Sequence, residues 1–596
     1  MKRIFTLLIL AITSTVVFGQ GFNNPVVKGF SPDPSVCRVG EDYYLVTSSF
    51  QYFPGVPIYH SKDLVNWKQI GHVLTRESQL QLEGANSSQG IYAPTIRHHN
   101  GKFYMITTNT SSLGNFIVTA EDPAGEWSDP IPVAMGGIDP SLFWDEDGKC
   151  WYTGSTGTSV MISQINPDTG EILTEPKVVW NGMGGRYPEA PHIYKKDGWY
   201  YLMIAEGGTE FAHSETIARS RNVEGPYDPA PHNPILTHFT SAAQNSPIQG
   251  VGHADLVEAH DGSWWLVCLA FRVNSGLIHL LGRETFVAPV RWDKNAWPVV
   301  NGNGEIALKM DVPTLPQKPF EADPARNEFD EPLGPKWSWL RKPVAERYQV
   351  ANGKLRMYGS KEGLNELQNS PSFVGFRQED FNFQAETCVQ LGKASNGDKA
   401  GMTVYMDYNG HYDIYLQKKG GRWVVGTNYT FGPVNHVEEV AVNSGKVWLR
   451  LTGNRNDEVY YISSVTLAKP QTSEYMQVLF STFATDNVAY KIYYENEGDN
   501  SLNFTRKNLA KKIRRRDAFW KMVFDTFGLP DDKEAIIWGD PDKAYLRARM
   551  QGSNYNAYLI LEDKEIRDGD YVDADEQKED LHYRNPFTFA DSLEDE

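Results

Sequence analysis

Three acidic residues in the first half of the chain stand in closely similar local sequences. Asp33 lies in Ser-Pro-Asp-Pro-Ser, Asp139 in Gly-Ile-Asp-Pro-Ser and Glu189 in Tyr-Pro-Glu-Ala-Pro. Two carboxyl groups on opposite sides of a glycosidic bond can hydrolyse it, one as general acid and the other as base or nucleophile. The acid must stay protonated near neutral pH, and burial or a neighbouring negative charge raises its pKa as required. A third carboxylate offers that neighbouring charge, provided that the fold brings the three side chains together.

Each acidic residue opens the same pattern: a short strand, a polar turn, and a strand rich in aromatic and β-branched residues. The pattern occurs five times, and its lead residues are Asp33, Ala93, Asp139, Glu189 and His253. A unit of about four strands recurring at roughly 45–65 residues is typical of a propeller blade. The five units span residues 25 to 315. They predict an all-β, five-bladed β-propeller.

In a propeller, the innermost strand of each blade lines the central channel, so equivalent positions at the strand mouths converge on one axis. Asp33, Asp139 and Glu189 are therefore predicted to meet around a single pocket. Such residues can also cap turns or bond neighbouring blades, and an isolated Asp-Pro would favour that interpretation. Three carboxylates in phase with the repeat favour the pocket.

Composition and charge limit the classes of partner. The 596 residues carry a formal net charge of -18, and 12% of them are aromatic. Nucleic acids and anionic membranes reward basic surfaces, so neither is expected as a partner. A neutral carbohydrate is compatible with an acidic protein. The length indicates at least two domains.

The first twenty residues have a basic start, an apolar run and a small-residue end, which is typical of a cleaved export signal. We therefore expect a periplasmic or extracellular protein. No later segment is apolar enough to span a membrane.

The cysteines are far apart and lack metal-ligand spacing, and we expect buried free thiols at Cys37, Cys150, Cys268 and Cys388.

Several of these motifs resemble glycoside hydrolase family 43. The resemblance covers nearly the whole repeat region in order, through FSPDPSVCRVGEDYYLVTSS from Phe30, GIYAPTIRHHNGKFYMITTN, GGIDPSLFWDEDGKCWYTGS, PEAPHIYKKDGWYYLMIAEGG, GHADLV and LGRETF. Family members are five-bladed propellers that hydrolyse glycosides with inversion, chiefly β-xylosidases and α-L-arabinofuranosidases. The resemblance implies that Asp33 is the general base, Glu189 the general acid, and Asp139 the residue that raises the pKa of the acid and orients it.

The resemblance also implies binding residues. Arg283 matches an arginine that contacts the sugar in the terminal subsite, and Phe50 and Tyr92 match aromatic pocket positions. Tyr92 is Trp in many relatives, which leaves the shape of the pocket open. His253 matches a histidine near the channel axis that often helps to hold a hydrated metal ion, commonly calcium. Whether His253 binds a structural metal or only forms hydrogen bonds stays open at this point.

Other functions have less support in the sequence. The motifs of the related retaining propellers (WMNDPNG, RDP and EC) do not occur. The GxSxG elbow that would indicate a serine hydrolase does not occur either. A non-catalytic carbohydrate-binding propeller would not need an acid, a base and a modulator together. An inverting enzyme further requires carboxyl groups about 6.5–9.5 Å apart, which we expect for Asp33 and Glu189.

Beyond the first twenty residues, the chain divides into three predicted regions. Residues 21–318 are assigned to the propeller. Residues 319–500 begin with a Pro-rich linker and are assigned to a lectin-like β-sandwich, which in the family braces the propeller. The resemblance fades from about residue 456, where closing strands are not evident. Residues 501–596 are predicted to be an extension of unknown role, with a basic helix at 504–528 and a flexible acidic end.

Together these observations predict an exo-acting, inverting glycosidase. We expect it to release terminal α-L-arabinofuranosyl residues from hemicellulose or its oligosaccharides, with β-xylosidase or dual activity as the alternative. The weak preference for arabinofuranosides rests on Tyr92. No organic cofactor is expected, and the sequence does not indicate an oligomeric state.

Overall fold

The computed structural model describes residues 21–243, 245–273, 279–312 and 314–453 with their side chains. Beyond these it describes the backbone of five strands, Tyr461–Leu467, Gln477–Thr482, Ile536–Asp540, Lys543–Arg549 and Asn556–Glu562. The predicted export signal lies outside the described residues. Among the residues searched, no helix has the length and apolar character needed to cross a membrane.

Between residues 35 and 300, the described strands form five antiparallel sheets that follow one another along the chain. The first sheet contains Ser35–Val39, Asp42–Val46, Gly55–Ser61 and Lys68–Leu74. The second contains Thr95–His99, Lys102–Asn109, Gly114–Ala120 and Ile131–Pro132. The third contains Ile138–Trp144, Cys150–Ser155, Val160–Asn166, Glu171–Ile172 and Lys177–Trp180.

The fourth sheet contains Glu189–Lys196, Trp199–Glu206, Ser214–Ser220, Asp228–Pro229 and Leu236–Thr237, and the fifth Ile248–Glu258, Trp264–Arg272, Arg283–Trp292 and Pro298–Val300. In each sheet the first strand in sequence lies at one edge and the chain then crosses the sheet strand by strand. The repeat predicted from the sequence therefore corresponds to one sheet per unit.

Local turn chemistry explains why the repeated hairpins form. Asn100-Gly101 joins the first two strands of the second sheet, and Asp197-Gly198 joins those of the fourth. All four residues have positive φ, from 51° to 80°. Asn, Asp and Gly tolerate this region best, and two successive positive-φ residues give the turn that matches the twist of a tight hairpin.

The five sheets contact one another in a closed cycle. The first strand of each sheet contacts a strand of the next sheet, and the first strand of the fifth returns to the first sheet. The apolar clusters lie between neighbouring sheets; for example, Ile58 of the first sheet shares a cluster with Met105 of the second. Another cluster unites the first, fourth and fifth sheets. Burial between sheets leaves the first strands to face a common axis.

The second described domain is a β-sandwich. One sheet contains Lys399–Asp407, Gly410–Lys419, Arg422–Phe431 and Val434–Val442; the other contains Phe383–Gln390, Lys446–Gly453, Tyr461–Leu467 and Gln477–Thr482. Ile414, Leu416 and Val425 pack between the sheets against Val447 and Leu449. The expectation that closing strands are missing after residue 456 was therefore wrong. The two later strands are short and their flanking segments polar, which weakens the period-two signal.

The described part of the extension is a three-stranded antiparallel sheet that the sequence analysis did not predict, formed by Ile536–Asp540, Lys543–Arg549 and Asn556–Glu562. The helix predicted at 504–528 and the acidic end lie outside the described residues and stay predictions. The sequence KAYLRAR has the alternation of a strand and is a usable signal for Lys543–Arg549.

The sandwich and the propeller region are joined at several points. Trp339–Leu340 pairs with Tyr52–Phe53, and the Arg377 side chain donates a hydrogen bond to the carbonyl of Phe30. Two further short strands, Tyr348–Val350 and Leu355–Met357, and a 3₁₀ helix, Ala345–Arg347, follow this junction, while Phe22–Asn23 pairs with Lys309–Met310.

Free thiols are confirmed: Cys37, Cys150 and Cys268 are buried, and Cys388 is partly exposed.

Candidate active site

The lead residues of the repeat lie where the first strands begin. Asp33 precedes the first sheet by two residues, Asp139 and Glu189 open the third and fourth sheets, and His253 lies within the first strand of the fifth. Asp33, Asp139 and His253 have φ of 56°, 52° and 50°. Non-glycine residues rarely adopt this left-handed region, and such strain persists only where the surrounding structure holds it. The strand mouths thus combine a rare backbone conformation with ionisable residues at equivalent positions of the repeat.

Asp33 is buried and held by two donors. Arg283 Nη1 lies 2.7 Å from Asp33 Oδ1, and the Ser48 hydroxyl donates to Oδ2. His253 Nδ1 lies 3.8 Å from the same Oδ1. These contacts fix the orientation of the carboxylate while the Arg283 guanidinium balances its charge. An oriented carboxylate of this kind is suited to accept a proton from water.

Asp139 is connected directly to the neighbourhood of Glu189. Its Oδ2 accepts a hydrogen bond from the backbone N–H of Ala190 at 3.2 Å. Burial raises the pKa of Asp139; the His253 charge opposes this rise, and the Asp33 charge adds to it. Asp139 therefore both holds the residue that follows Glu189 and places a carboxyl group beside it.

Glu189 has the perturbation that a general acid needs. Burial raises its pKa well above the ordinary value, the negative charges of Asp139 and Asp33 raise it further, and Arg283 opposes them. A carboxyl group with a raised pKa keeps its proton near neutral pH and can donate it to a leaving group. Glu189 as a whole residue is partly exposed at the wall of an open cleft, whereas its carboxyl group is buried.

Aromatic rings surround the Arg283 guanidinium. Its carbon lies 5.1 Å from the centre of the Phe50 ring and 5.9 Å from that of Phe30. The Phe50 and Tyr92 rings lie 5.4 Å apart, and the Tyr92 hydroxyl donates to the Ser88 carbonyl at 2.7 Å. Apolar ring faces beside charged groups are suited to a sugar, whose C–H faces are apolar and whose hydroxyls are polar.

The structure thus brings the carboxylates together with Arg283, Phe50, Tyr92 and His253, and the roles that the sequence analysis assigned to them stay predictions. Ser48 and Phe30 were not predicted as part of this cluster. Phe30 lies next to the Ser-Pro-Asp motif, which was a usable signal, whereas an isolated serine such as Ser48 gives none. Trp144, on the same strand as Asp139, lies at the opposite end of that strand, where its ring stacks on His99.

Comparison with known proteins relates this arrangement to a family. The model of glycosyl hydrolases family 43 matches residues 22–298, and that of the beta xylosidase C-terminal concanavalin A-like domain matches residues 326–489. A non-reducing end alpha-L-arabinofuranosidase of Bacteroides ovatus is 44% identical over 411 residues, which are 68% of this chain and 77% of that protein. This chain belongs to glycosyl hydrolases family 43. It is therefore a glycoside hydrolase.

Other family 43 proteins are similar over comparable lengths. A xylosidase/arabinosidase of Butyrivibrio fibrisolvens is 41% identical over 434 residues, covering 69% of this chain and 82% of the relative. The solved Bacteroides ovatus protein described as Xyloglucan PUL GH43B has a TM-score of 0.73 and 39% identity, covering 78% of this chain and 92% of that one. The sandwich match to residue 489 corrects the expectation that the resemblance fades from about 456.

His253 lies beside Asp33, and its charge opposes the burial that raises the pKa of Asp139. Among the residues searched in the described part of this family 43 chain, no group of three or more His, Cys, Asp or Glu side chains could hold a metal ion. A hydrated metal ion held by His253 alone would not form such a group, so the structural metal expected near His253 stays a prediction.

Proposed function

We propose that this chain is an exo-acting, inverting glycosidase that releases terminal α-L-arabinofuranosyl residues from hemicellulose or its oligosaccharides. The observation that carries the proposal is that Asp33, Asp139 and Glu189 lie at the mouths of three first strands, where Arg283 and Ser48 hold Asp33, and Asp139 accepts from the Ala190 N–H beside Glu189. Burial and the charges of Asp139 and Asp33 raise the pKa of Glu189, in agreement with a general acid. Two carboxyl groups with different protonation states are what acid–base hydrolysis of a glycoside requires.

In this mechanism Glu189 is the general acid and Asp33 the general base. Glu189 donates its proton to the glycosidic oxygen, and the bond between that oxygen and the anomeric carbon breaks with its electron pair passing to the oxygen. Asp33 takes a proton from a water molecule whose oxygen bonds to the anomeric carbon from the opposite face. The configuration at that carbon is inverted. Proton exchange with solvent restores both carboxyl groups.

Asp139, Arg283 and the aromatic rings have supporting roles. Asp139 keeps the pKa of Glu189 high and holds the backbone beside it. Arg283 orients Asp33 and lies close enough to the pocket aromatics to bind sugar hydroxyls there. Phe50 and Tyr92 provide the ring faces. The closed cycle of five sheets supports our proposal that these are the blades of a five-bladed propeller with the pocket on its axis.

The sugar is proposed from the relatives and from Tyr92. The Bacteroides ovatus relative is named an arabinofuranosidase, whereas the Bacillus subtilis relative, 36% identical over 480 residues, is named a beta-xylosidase. β-Xylosidase or dual activity is therefore the second candidate. Side-by-side rates on aryl α-L-arabinofuranoside and aryl β-D-xyloside decide between them. Absence of turnover on both would contradict the proposed function and favour a binding protein.

Two measurements test the mechanism. NMR during turnover should show the inverted anomeric configuration first; initial release of the retained anomer would overturn the assignment of Asp33 as a base. Glu189→Gln and Asp33→Asn should each lower kcat by about 1,000-fold. The loss in Glu189→Gln should be smaller for aryl groups that leave easily, since these need less protonation. Glu171→Gln, at an exposed strand end of the third sheet, is the control and should keep full activity.

A further inference from the structure

A buried polar network lies close to the catalytic carboxylates along the first strands of the sheets. Each of the five sheets contributes to it, and its members are Ser35, Arg97, Ser141, His192, Tyr194 and Asp255. Asp255, Ser35, Ser141 and His192 are almost inaccessible to solvent. Ser35, Ser141 and Asp255 each follow a lead residue of the repeat by two positions. The network therefore joins the first strands of all five sheets within a few residues of the carboxylates.

Asp255 is the centre of this network. Its Oδ2 accepts hydrogen bonds from Ser35 Oγ at 2.7 Å, the Val36 N–H at 3.0 Å and Arg97 Nη1 at 2.8 Å. Its Oδ1 accepts from the Tyr194 hydroxyl at 2.7 Å and Arg97 Nη2 at 3.2 Å. Both oxygens of a fully buried carboxylate are thus paired, and the bidentate Arg97 contact fixes their plane. Asp255 thereby joins the fifth sheet to the first, second and fourth.

Arg97 extends the network to the remaining sheet. Its Nη2 lies 3.0 Å from His192 Nδ1, and Ser141 Oγ of the third sheet lies 2.9 Å from the same nitrogen. A guanidinium only donates, so His192 Nδ1 is the acceptor and the imidazole is neutral with its proton on Nε2. Burial lowers the pKa of His192 to about 3, which agrees with a neutral ring. The Ser141 hydroxyl must then also donate to His192 Nδ1, so this nitrogen is the shared acceptor that links Arg97 to the third sheet.

The network begins where the regular hydrogen-bond ladders begin. In the third, fourth and fifth sheets the ladder is irregular at the mouth and becomes regular at Ser141, His192 and Asp255. In the first sheet it starts at Ser35. The strained residues Asp33, Asp139 and His253 lie just before these positions, and strained backbone needs neighbours that hold it in place. Network members are thus the nearest regular residues to the catalytic mouths.

We propose that the Arg97–Asp255 ion pair and its partners position the active site, setting how far apart Asp33, Asp139 and Glu189 lie. The inference rests on the proposed function, because it assigns these residues a role in that same reaction. They are positioning residues, since they do not touch the reacting atoms. The three carboxylates come from three separate sheets, the first, third and fourth, and a buried network that joins all five sheets keeps their spacing the same in every molecule.

The test compares two matched tyrosine variants. Tyr194→Phe removes the hydrogen bond to Asp255 and the acceptor of the Leu256 N–H, whereas Tyr200→Phe removes a hydrogen bond, 2.6 Å long, to Asp145 at the opposite strand ends. Tyr194→Phe should lower kcat by about 10-fold and Arg97→Lys by about 100-fold, with KM changed less than about threefold, because small misplacements of catalytic groups mainly reduce the chemical step. Tyr200→Phe should match the wild type.

The pH profile separates positioning from general loss of stability. Greater distance between Glu189 and its acidic neighbours weakens their repulsion, so the basic limb of kcat/KM should move to lower pH in Tyr194→Phe but not in Tyr200→Phe. Equal effects of the two variants, or an unchanged kcat and profile in Tyr194→Phe, would overturn the proposal. If Arg97→Lys fails to fold, Ser141→Ala takes its place with the same expectation. Inactive wild-type enzyme would instead contradict the proposed function alone.

Discussion

Arg283 Nη1 and Asp33 Oδ1 lie 2.7 Å apart, which joins a cation on the fifth sheet to the proposed base at the mouth of the first. The same guanidinium lies over the Phe50 ring and opposes the negative charges that raise the pKa of Glu189. One side chain therefore influences the base, the acid and the sugar-binding wall. Removal of the Arg283 guanidinium should therefore lower the activity of the enzyme and raise the pKa of Glu189.

Arg283→Met should lower kcat/KM by about 100-fold, since a hydrogen bond between charged groups at Asp33 is lost. Because Arg283 lowers the pKa of Glu189, its removal should raise that pKa further and move the basic limb of the pH profile to higher pH. Kinetics of kcat/KM from pH 5 to 9 measure both effects. Arg291→Met, an exposed position on the same strand, is the control. A limb moving to lower pH would contradict the electrostatic role.

Asp139→Asn should have the opposite effect on the pH profile. The Asp139 charge raises the pKa of Glu189, so its neutralisation should lower that pKa and move the basic limb to lower pH. The fraction of enzyme with Glu189 protonated at neutral pH then falls, and activity falls with it. Asp147→Asn, in the exposed turn of the same hairpin, should leave the profile unchanged. A basic limb that stays in place in Asp139→Asn would rule out charge coupling between these two residues.

Features set by local chemistry were predictable from the sequence. Turns such as Asn100-Gly101 and the alternating strands around them depend on neighbouring residues, and their repetition placed Asp33, Asp139 and Glu189 at equivalent positions. Long-range contacts were not predictable in the same way. Arg97 and Asp255 are 158 residues apart, and their pairing depends on closure of the whole cycle of sheets. A single sequence carries no local signal for such a contact.

The aromatic residues show the same division. Phe50 and Tyr92 were assigned to the pocket through family motifs, and the structure places them there in mutual contact. Trp144 shares a strand with Asp139 but lies at the other end of it, in contact with His99. An aromatic residue can lie at either end of a strand, because both core packing and sugar binding bury an aromatic ring. Its place along the strand decides between them, and boundaries of strands are poorly defined by sequence.

Tyr92→Trp should change the choice of sugar. The Tyr92 ring contacts Phe50 and is fixed by its hydroxyl on Ser88, so a larger indole must alter the space beside the bound sugar. We expect the ratio of arabinofuranoside to xyloside kcat/KM to fall by about 10-fold, the size of effect that a small change in pocket shape produces. Tyr92→Phe keeps the ring and removes only the hydroxyl, and its ratio should stay near the wild-type value. An unchanged ratio in Tyr92→Trp would remove the basis for preferring arabinofuranosides.

Arg341 of the sandwich supports the pocket from behind. It is buried, its backbone N–H donates to the Gln51 carbonyl at 2.7 Å, and its guanidinium donates to the Glu366 and Asn369 carbonyls at 2.6 and 3.2 Å. Gln51 directly follows Phe50. Arg341→Met leaves these two part-buried carbonyls, and the buried Gln51 Oε1 that accepts from Arg341 Nη1 at 3.3 Å, without their donor, which should lower the free energy of unfolding by about 2 kcal/mol. It should also lower kcat/KM, because the side-chain contact that holds Gln51, next to Phe50, is lost.

The neighbouring residue provides the control for this prediction. Lys342 is exposed and pairs with Glu77 and Glu83, and exposed pairs contribute little. Lys342→Met should therefore change the free energy of unfolding by less than about 0.5 kcal/mol and leave turnover intact. Urea denaturation followed by fluorescence, with kcat/KM measured on the same preparations, compares the two variants. If Arg341→Met loses stability but keeps wild-type kcat/KM, the sandwich stabilises the protein without shaping the pocket. Equal stability of both variants would show that the contacts of the buried Arg341 side chain contribute no more than a surface ion pair.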